Sequence, residues 1–450
     1  MTGVAISVVI ALGVVRSPGA QQESAPTVAI THVTVIDVER GERLPDRTVL
    51  IRGGRVAAVE SAGRARVPAG AHIVDGARKY LLPGLWDMHT HPSSEADLAR
   101  LLAHGVTGIR VMHGNPSVVR WKGRIGRGEL LGPTIVAAGP IVEGLPPPGF
   151  AAVIDTVGRS VVTSTAEAAR EVRAQKAAGY DFIKVYNNVP REAYDAIVAE
   201  ARRQQMQVAG HVPFAVGLRG VLAARQASIE HLRGYPELLV PKDAPQQPGA
   251  DLRSRVLAWR FADTTLIPSL ARETRDAGVW STPTLSTRLF TAPRAVVEQY
   301  LGTNPESEGF LQSRSRIPWL SNFTDDDFRL AEEGNAPQRA LLLALRASGA
   351  GLLAGTDMGP WGASLHQELR FLVDAGLSPA EALRAATLGP ALFLGAADTL
   401  GLVTAGRRAD LVLLDADPLA DIRNTTTISL VMVGGRVLDR KWLDEALFRR

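Results

Sequence analysis

Two histidines lie one residue apart in the segment LWDMHTH, where His89 and His91 follow an apolar run. If this run is a β-strand, side chains at positions i and i+2 share one face. The two imidazoles would then point the same way and could bind one metal ion. An isolated H-x-H pattern is more often a packed or solvated histidine pair at a strand end. The interpretation as a metal site therefore depends on further ligands.

Four other side chains with suitable chemistry end apolar segments later in the chain. They are Lys184 in FIKVY, His211 in VAGHV, His231 in SIEHL and Asp357 in LLAGTD. Taken singly, the two histidines would be core residues and Asp357 would be a strand-end carboxylate or helix cap. In a barrel of parallel strands, however, all the strand ends meet at one edge. The sequence therefore predicts that these groups converge there with the histidine pair.

Lys184 lies among apolar neighbours in DFIKVY. Burial favours the neutral amine of a lysine. A neutral amine can add carbon dioxide and become a carbamate, which is an anionic ligand with two oxygens that could bridge two metal ions. Taken alone, Lys184 would instead extend to solvent or form a salt bridge at the strand end. The histidines and the aspartate at matching strand ends favour the interpretation of Lys184 as a carbamate that bridges two metal ions.

The middle of the chain alternates short apolar strands with amphipathic helical runs, which is typical of βα units and a parallel sheet. Eight segments are strand candidates: LWDMHTH, VTGIRVMH, TIVAAG, YDFIKVY, QVAGHV, ASIEHL, GVWSTPTL and GLLAGTD. We therefore predict an α/β fold with a (β/α)8 TIM-type barrel over residues 83–399. We interpret part of the segment 234–324 as an insertion that forms a lid.

Both ends of the chain are rich in β-type patterns, over residues 28–82 and 400–440. Each contains a GGRV turn, at Gly53–Val56 and at Gly434–Val437. Alternating β-branched residues separated by such turns predict short strands. We predict that the two ends together form one small β-sandwich domain.

The composition excludes several classes of protein. The chain has no cysteine, which excludes disulfides, thiolate catalysis and thiolate metal sites. Its 450 residues carry a formal net charge of only +4, without a basic tract interleaved with aromatic residues, so we expect no nucleic-acid partner.

The N-terminal segment contains an apolar run from Val4 to Val15, followed by small residues. This is the length of the apolar region of a secretory signal, although the first basic residue, Arg16, follows the run instead of preceding it. The run is too short to cross a bilayer comfortably. We interpret residues 1–20 as a signal peptide cleaved near Ala20. We therefore expect a secreted or periplasmic protein with no stable membrane insertion after signal removal.

The motifs LLPGLWDMHTH, FIKVY, AGHV, SIEH and LLAGTD, with the segment Gly401–Asp415, resemble the amidohydrolase superfamily over nearly the whole mature chain. The resemblance is strongest to two-metal members with a carboxylated lysine, the prolidase-like and ochratoxinase-like amidases and peptidases. It implies two divalent metal ions, and zinc is the default choice for such ligands. The implied ligands are His89, His91 and Asp357 for a buried ion, His211 and His231 for a more exposed ion, and carboxylated Lys184 as a bridge.

The same resemblance implies hydrolysis of an amide bond in a small-molecule substrate such as an N-acyl amino acid, a dipeptide or an aryl amide. A hydroxide that bridges the metals would attack, and Asp357 would be the catalytic base and then the acid. The alternative is a lactone, cyclic amide or phosphoester hydrolase, or a deaminase, although single-metal deaminases lack the bridging lysine. A non-catalytic relative is a third hypothesis, against which the six filled ligand positions argue. We also expect a homo-oligomer.

Substrate contacts are less well defined by the sequence. Dipeptidase relatives carry an aromatic residue or histidine where this chain has Pro213, which argues against a simple dipeptide. His113, at the end of the second strand, is a candidate catalytic and substrate-binding donor in its place, or a structural loop histidine. Tyr186 is a candidate substrate-binding residue or a packing residue. His366 is interpreted as the start of the helix after the eighth strand, either on the helix surface or in contact with residues around the metal ligands. Four arginines are candidates to bind a substrate carboxylate: Arg272, Arg288, Arg294 and Arg314.

Overall fold

The structure is a computed structural model that describes residues 27–145, 158–302, 305–314, 317, 320 and 322–448. The predicted signal peptide over residues 1–20 lies outside this part of the chain. The strands of the described part are β1 (Val28–Asp37), β2 (Glu42–Arg52), β3 (Arg55–Ser61), β4 (His72–Asp75), β5 (Tyr80–Pro83), β6 (Leu85–Thr90), β7 (Val106–Val111), β8 (Thr134–Ala137), β9 (Ile141–Glu143), β10 (Arg159–Val161), β11 (Phe182–Val185), β12 (Gln207–Gly210), β13 (Ser228–Glu230), β14 (Trp280–Thr282), β15 (Leu411–Leu414), β16 (Ile428–Val433) and β17 (Arg436–Leu438).

The α-helices of the same part of the chain are α1 (Glu95–Ala103), α2 (Pro116–Gly126), α3 (Thr165–Ala177), α4 (Arg191–Arg203), α5 (Gly217–Ala223), α6 (Pro236–Leu239), α7 (Leu252–Ala258), α8 (Ile267–Asp276), α9 (Arg294–Leu301), α10 (Pro305–Arg314), α11 (Asp325–Glu333), α12 (Asn335–Ser348), α13 (Ala363–Asp374), α14 (Pro379–Ala385), α15 (Leu388–Phe393) and α16 (Arg440–Leu447). Within the described residues, no helix combines the length and apolar character that a bilayer crossing requires.

One eight-stranded sheet draws its strands from both ends of the chain. Its order is β17-β16-β15-β5-β1-β2-β3, with β4 paired to β1, and most of its pairs are antiparallel. The two halves join where β5 pairs antiparallel with β15, with Leu81 opposite Leu413. The two GGRV turns also meet, because a Cβ atom on Gly54 would lie 2.8 Å from the carbonyl oxygen of Gly434. The prediction that both ends contribute to one β structure is therefore confirmed as a shared, largely antiparallel sheet.

The middle of the chain forms two parallel sheets covered by helices. One has the order β6-β7-β8 and the other β10-β9-β11-β12-β13-β14, and every pair in both is parallel. An isolated parallel bridge between Ala138 and Phe182 connects them on one side. The α/β class with parallel strands is therefore confirmed.

The prediction that the segment GLLAGTD forms an eighth strand is wrong. Only Leu352 forms a β-bridge there, with Ser281. Its backbone nevertheless bonds to both neighbouring strands, with too few consecutive pairs to form a ladder. The amide of Leu353 donates to Ser281 O at 2.9 Å, and Ala354 O accepts from Met88 N at 2.9 Å. The segment therefore lies between β14 and β6 without a ladder of its own.

The connecting helices begin with clear local signals. Ser94 caps α1, where its hydroxyl accepts from Asp97 N and the Asp97 carboxylate accepts from Ser94 N in return. Ser164 caps α3 in the same position.

The predicted lid segment, 234–324, contains helices α6 to α10 and also strand β14, so part of it belongs to the parallel sheet.

Candidate metal centre

The six predicted ligands lie at the carboxyl ends of the parallel strands. His89 is within β6 and Lys184 within β11, whereas His91, His211 and His231 follow β6, β12 and β13 closely. Asp357 follows the segment that lies between β14 and β6, and its amide donates to His89 O at 2.8 Å. The structure therefore brings all six to one edge of the sheets.

The Asp357 carboxylate is the centre of the group. Its Oδ1 lies 2.9 Å from His91 Nε2 and 3.4 Å from His89 Nε2, and its Oδ2 lies 3.6 Å from His231 Nε2. Lys184 Nζ lies 3.2 Å from His89 Nε2. One ligand atom from each of His89, His231 and Asp357 falls within 4.8 Å of the others, a spacing that could hold one metal ion.

Three of the imidazoles are oriented by a hydrogen bond at the nitrogen that faces away from this centre. His89 Nδ1 bonds to Glu230 Oε2 at 2.8 Å, His211 Nδ1 to Asn187 Oδ1 at 2.8 Å, and His231 Nδ1 to Thr284 Oγ1 at 2.6 Å. The three partner oxygens act as acceptors. The carboxylate of Glu230 and the amide oxygen of Asn187 have no proton to donate, and Thr284 Oγ1 donates its own proton to Pro283 O. Each Nδ1 therefore carries the ring proton, and each Nε2 keeps a lone pair.

These residues fit a metal ion. The decisive observation is His211 Nε2, which is buried and has no hydrogen-bond partner among the described residues. A buried acceptor without a partner costs free energy unless a ligand satisfies it. A donor set of imidazole nitrogens, a carboxylate and a lysine suits zinc or another divalent ion of similar hardness.

The protonation states agree with metal binding. Burial lowers the pKa of His89 to about 4 and holds the pKa of His211 and of His231 well below 6.5, so all three rings are neutral at pH 7. Burial alone would raise the pKa of Asp357, but the neighbouring imidazoles outweigh it, and the net pKa is well below the ordinary value. Burial also lowers the pKa of Lys184 to about 8. Neutral imidazole and ionised carboxylate are the forms that bind metals.

A buried ion pair lies beneath the centre, and sequence reasoning did not find it. Glu230 Oε1 accepts from Arg110 Nη2 at 2.8 Å, and Ser228 Oγ donates to the same oxygen at 2.5 Å. Arg110 Nε also donates to Met88 O at 2.7 Å. Burial would raise the pKa of Glu230, but Arg110 and His89 hold it well below the ordinary value. The sequence signal was present, because Arg110 and Glu230 stand inside apolar strands, where a charge must be paired.

Asp87 connects β6 to the segment that carries Asp357. Its carboxylate accepts from Thr356 N at 3.0 Å, from Thr356 Oγ1 at 2.8 Å and from His89 N at 3.1 Å. Burial raises the pKa of Asp87 to about 7 despite these bonds. The backbone is strained around this point, because His231, Thr284 and Asp357 have φ angles of 60°, 49° and 53°.

The two candidate substrate-binding residues lie beside the centre. Tyr186 stacks on His211 with ring centroids 4.0 Å apart and an interplanar angle of 26°. The His113 ring lies 6.3 Å from that of His91, and its Nε2 donates to Gly158 O at 2.8 Å. In the neutral ring His113 therefore has only an acceptor, Nδ1, left for another partner.

Other expectations about peripheral residues differ from the structure. His366 is buried, with 6% of its surface exposed, and its Nδ1 lies 3.0 Å from Thr425 Oγ1, so it is not at the helix surface. The reason is that α13 packs against the chain near Thr425.

The four arginines proposed to bind a substrate carboxylate lie in other environments. Arg294 pairs with glutamates, Arg314 bonds to backbone carbonyls, Arg288 bonds to Gln338, and Arg272 is exposed on α8.

Comparison with known proteins assigns the class. The model of the amidohydrolase family matches residues 80–438, and the chain belongs to this family. Ochratoxinase from Aspergillus niger is 25% identical over 418 residues, which cover 79% of this chain and 75% of the relative.

Two solved structures are similar over most of the chain. The structure of bottromycin amidohydrolase is 29% identical in sequence with a TM-score of 0.69, and the match covers 93% of this chain and 88% of that one. A Xaa-Pro dipeptidase with bound methionine is 20% identical with a TM-score of 0.67, covers 92% of this chain and 100% of that one, and shows a shared fold. The protein is accordingly a hydrolase that acts on carbon–nitrogen bonds, as the sequence predicted.

Proposed function

We propose that the protein is a metal-dependent hydrolase that cleaves the amide bond of an N-acyl amino acid or a non-standard peptide. The observation that carries the proposal is the convergence of ligand atoms from His89, His231 and Asp357 within 4.8 Å. Family membership supports the bond type, and the names of ochratoxinase and bottromycin amidohydrolase are consistent with a small amide substrate.

The proposal places this site at the mouth of a (β/α)8 barrel formed within residues 83–399. Two connections support closure of the parallel sheets: the Ala138–Phe182 bridge on one side, and the segment 351–357 between β14 and β6 on the other. Residues 28–82 and 400–440 would form the separate β-sandwich domain. Active sites of such barrels lie at the carboxyl ends of the strands, where the six ligand candidates are found.

Two divalent ions, with zinc as the default, would occupy the site. His89, His91 and Asp357 would hold the buried ion, and His211 and His231 the more exposed one. When bound, the ions would polarise the substrate carbonyl and lower the pKa of a water molecule. The hydrogen bonds at Nδ1 of His89, His211 and His231 fix the rings in the binding tautomer.

Lys184 would join the two ions as a carbamate. Its side chain is 2% exposed and its pKa is lowered to about 8, so a useful fraction of the amine is neutral near pH 8. The neutral nitrogen adds to the carbon of carbon dioxide and releases a proton, which leaves an anion with two oxygens. The change replaces a buried cation by an anion beside the imidazoles. This anion could bind two metal ions at once.

Asp357 would move the proton during the reaction. Its carboxylate is ionised and lies at hydrogen-bond distance from His91 Nε2. It can take the proton of the attacking water at one oxygen and deliver it to the nitrogen of the leaving amine. Tyr186 and His113 would contact the substrate beside it.

Removal and return of the metal test this function. Chelation should remove up to two equivalents of metal and abolish hydrolysis of N-acyl amino acids, and zinc with bicarbonate should restore both. His211→Ala should lower metal content, whereas the matched variant His72→Ala, at an exposed position on β4, should not change it. Full amide hydrolysis by metal-free protein would contradict the proposal, as would activity confined to lactones or phosphoesters in the same panel.

Export of the protein and its assembly with copies of itself are two separate proposals. Residues 1–20 would direct the chain to the periplasm or outside the cell, and the mature protein would assemble with copies of itself. Mass determination of the exported chain would show cleavage near Ala20, and light scattering would give the number of subunits. An intact N-terminus or a monomer would contradict the respective proposal.

A further inference from the structure

Arg233 is a charged side chain near the metal centre that the proposed reaction does not use. It is two residues beyond His231 and partly exposed. Among the described residues, no side chain or carbonyl forms a hydrogen bond or ion pair with its guanidinium. The neighbouring arginines differ in this respect, because Arg159 pairs with Glu143 at 3.4 Å and Arg255 bonds to the backbone carbonyl of Gly249 at 3.0 Å.

A tight turn holds Arg233 beside the site. His231 and Leu232 have φ angles of 60° and 52°, and Arg233 N donates to Glu230 O at 3.1 Å. Leu232, between the two polar residues, is 2% exposed and packs in the core. This turn is anchored at both of its ends, because Glu230 is buried and Gly234 abuts Val212.

The position of Arg233 in the chain and the charges near it indicate where the guanidinium lies. Arg233 follows His231 by two residues, and His231 Nε2 lies 3.6 Å from Asp357 Oδ2. The Asp357 carboxylate and the Tyr186 side chain are within electrostatic reach of the Arg233 guanidinium. Because such interactions weaken with distance, Arg233 borders the same space as the metal-ligand candidates.

The other charges around this space do not supply an ion-pair partner for Arg233 among the described residues. The Arg159 guanidinium lies 4.4 Å from the centre of the Tyr186 ring, and Glu143 balances its charge. Glu237, exposed on α6, attracts Arg233 but forms no ion pair with it within the described residues. An arginine fork without a partner next to a reaction centre is suited to bind a carboxylate with two parallel hydrogen bonds.

We propose that Arg233 binds a carboxylate of the substrate, so that the enzyme prefers N-acyl amino acids and peptides with a free carboxylate to the corresponding carboxamides. This inference rests on the proposed amide hydrolysis and names the substrate class. The substrate carboxylate supplies the partner that the fold does not provide. It also places the amide bond at a fixed distance from Asp357.

The test compares a matched pair of substrates, an N-acyl amino acid and the carboxamide of the same compound. For the native protein, kcat/KM should be higher for the acid. In Arg233→Met that preference should fall by roughly 10- to 100-fold, mainly through KM, which is the loss expected for a hydrogen-bonded charge pair. Arg233→Lys should retain part of the preference, because it keeps the charge without the fork. Arg272→Met, at an exposed arginine on α8, is the matched control and should leave the preference unchanged.

A second measurement separates binding from chemistry. Calorimetry with the free amino acid product and with its amide should show tighter binding of the acid to the native protein, and loss of that difference in Arg233→Met at unchanged metal content and melting temperature. Equal use of acid and amide by the native protein, or an equal effect of Arg233→Met on both, would overturn the inference and leave amide hydrolysis standing. Hydrolysis of neither compound would overturn the proposed function and this inference with it.

Discussion

The imidazole of His89 and the carboxylate of Glu230 are joined by a 2.8 Å hydrogen bond between Nδ1 and Oε2, and both side chains are fully buried. The same carboxylate accepts from Arg110 through its other oxygen. Glu230 therefore holds the proton of His89 on the nitrogen that faces away from Asp357 and also balances a buried cation. One side chain supports both the candidate metal site and the core.

Glu230→Gln should weaken the centre and the fold together. His89 would lose the ionised acceptor that fixes its tautomer, and metal affinity should fall by roughly 10- to 100-fold. Arg110 would be left without its counter-charge, which should cost about 3 kcal/mol of unfolding free energy. Metal titration and chemical denaturation measure the two effects. Glu237→Gln, at an exposed glutamate on α6, should change neither. Native metal affinity in a folded Glu230→Gln protein would show that this bond does not orient His89.

Lys184→Met should lose turnover by roughly 1,000-fold, the upper range for loss of one electrostatic stabiliser. The variant keeps the length of the side chain but cannot form a carbamate. The bound metal should drop below two equivalents, and bicarbonate should no longer increase activity. Lys176→Met, at an exposed lysine on α3, provides the comparison. Near-normal rates in Lys184→Met would refute the bridging role.

His113→Ala should lower turnover while leaving the metal content intact, because the ring lies beside His91 without belonging to the ligand cluster. Its Nε2 proton is used on Gly158 O, so only the protonated ring has a second proton to donate to a substrate. Burial lowers the pKa of His113 below 6.5. The effect of the substitution on kcat should therefore increase as the pH falls towards that lowered pKa. A rate equal to that of the native protein at every pH would remove His113 from the reaction.

Glu368 should make stability depend on pH. Burial raises its pKa to about 7, although Leu285 N and Ser286 N donate to the carboxylate. The folded pKa is thus above the unfolded value of about 4.5, so its contribution is full below pH 4.5 and is lost as the pH rises through 7. The loss should be on the order of 3 kcal/mol.

Denaturation of the native protein and of Glu368→Gln at pH 5 and at pH 7.5 measures this contribution. Relative to Glu368→Gln, the native protein should have a lower free energy of unfolding at pH 7.5 than at pH 5, because glutamine does not titrate. Glu445→Gln, at an exposed position on α16, should show no such shift. A difference that is constant across the range would mean that Glu368 is ionised throughout.

The sequence predicted the positions of the ligand candidates because they depend on local rules. A parallel strand ends where its apolar run ends, and this placed His89, Lys184, His211 and His231 at one edge without any knowledge of the contacts between strands. Helices α1, α3 and α4 also follow local rules, because each combines a capping signal or proline at its start with an apolar stripe.

What the sequence could not supply was long-range pairing. Arg110 and Glu230 are 120 positions apart, and only the folded chain shows that they bond to one another. The GLLAGTD segment has the composition of a strand, but it forms only one β-bridge, between Leu352 and Ser281. His366 was assigned to a surface because helical spacing does not reveal that α13 packs against Thr425.

The pairing of β5 with β15 has a consequence for biosynthesis. Their partners Leu81 and Leu413 are separated by about 330 residues. At a synthesis rate of roughly 5–20 residues per second, the ribosome needs about 15 to 65 seconds to deliver the second strand after the first. During that interval one side of β5 presents unpaired amide and carbonyl groups to the cellular environment. A nascent chain of this protein should therefore engage chaperones until β15 emerges.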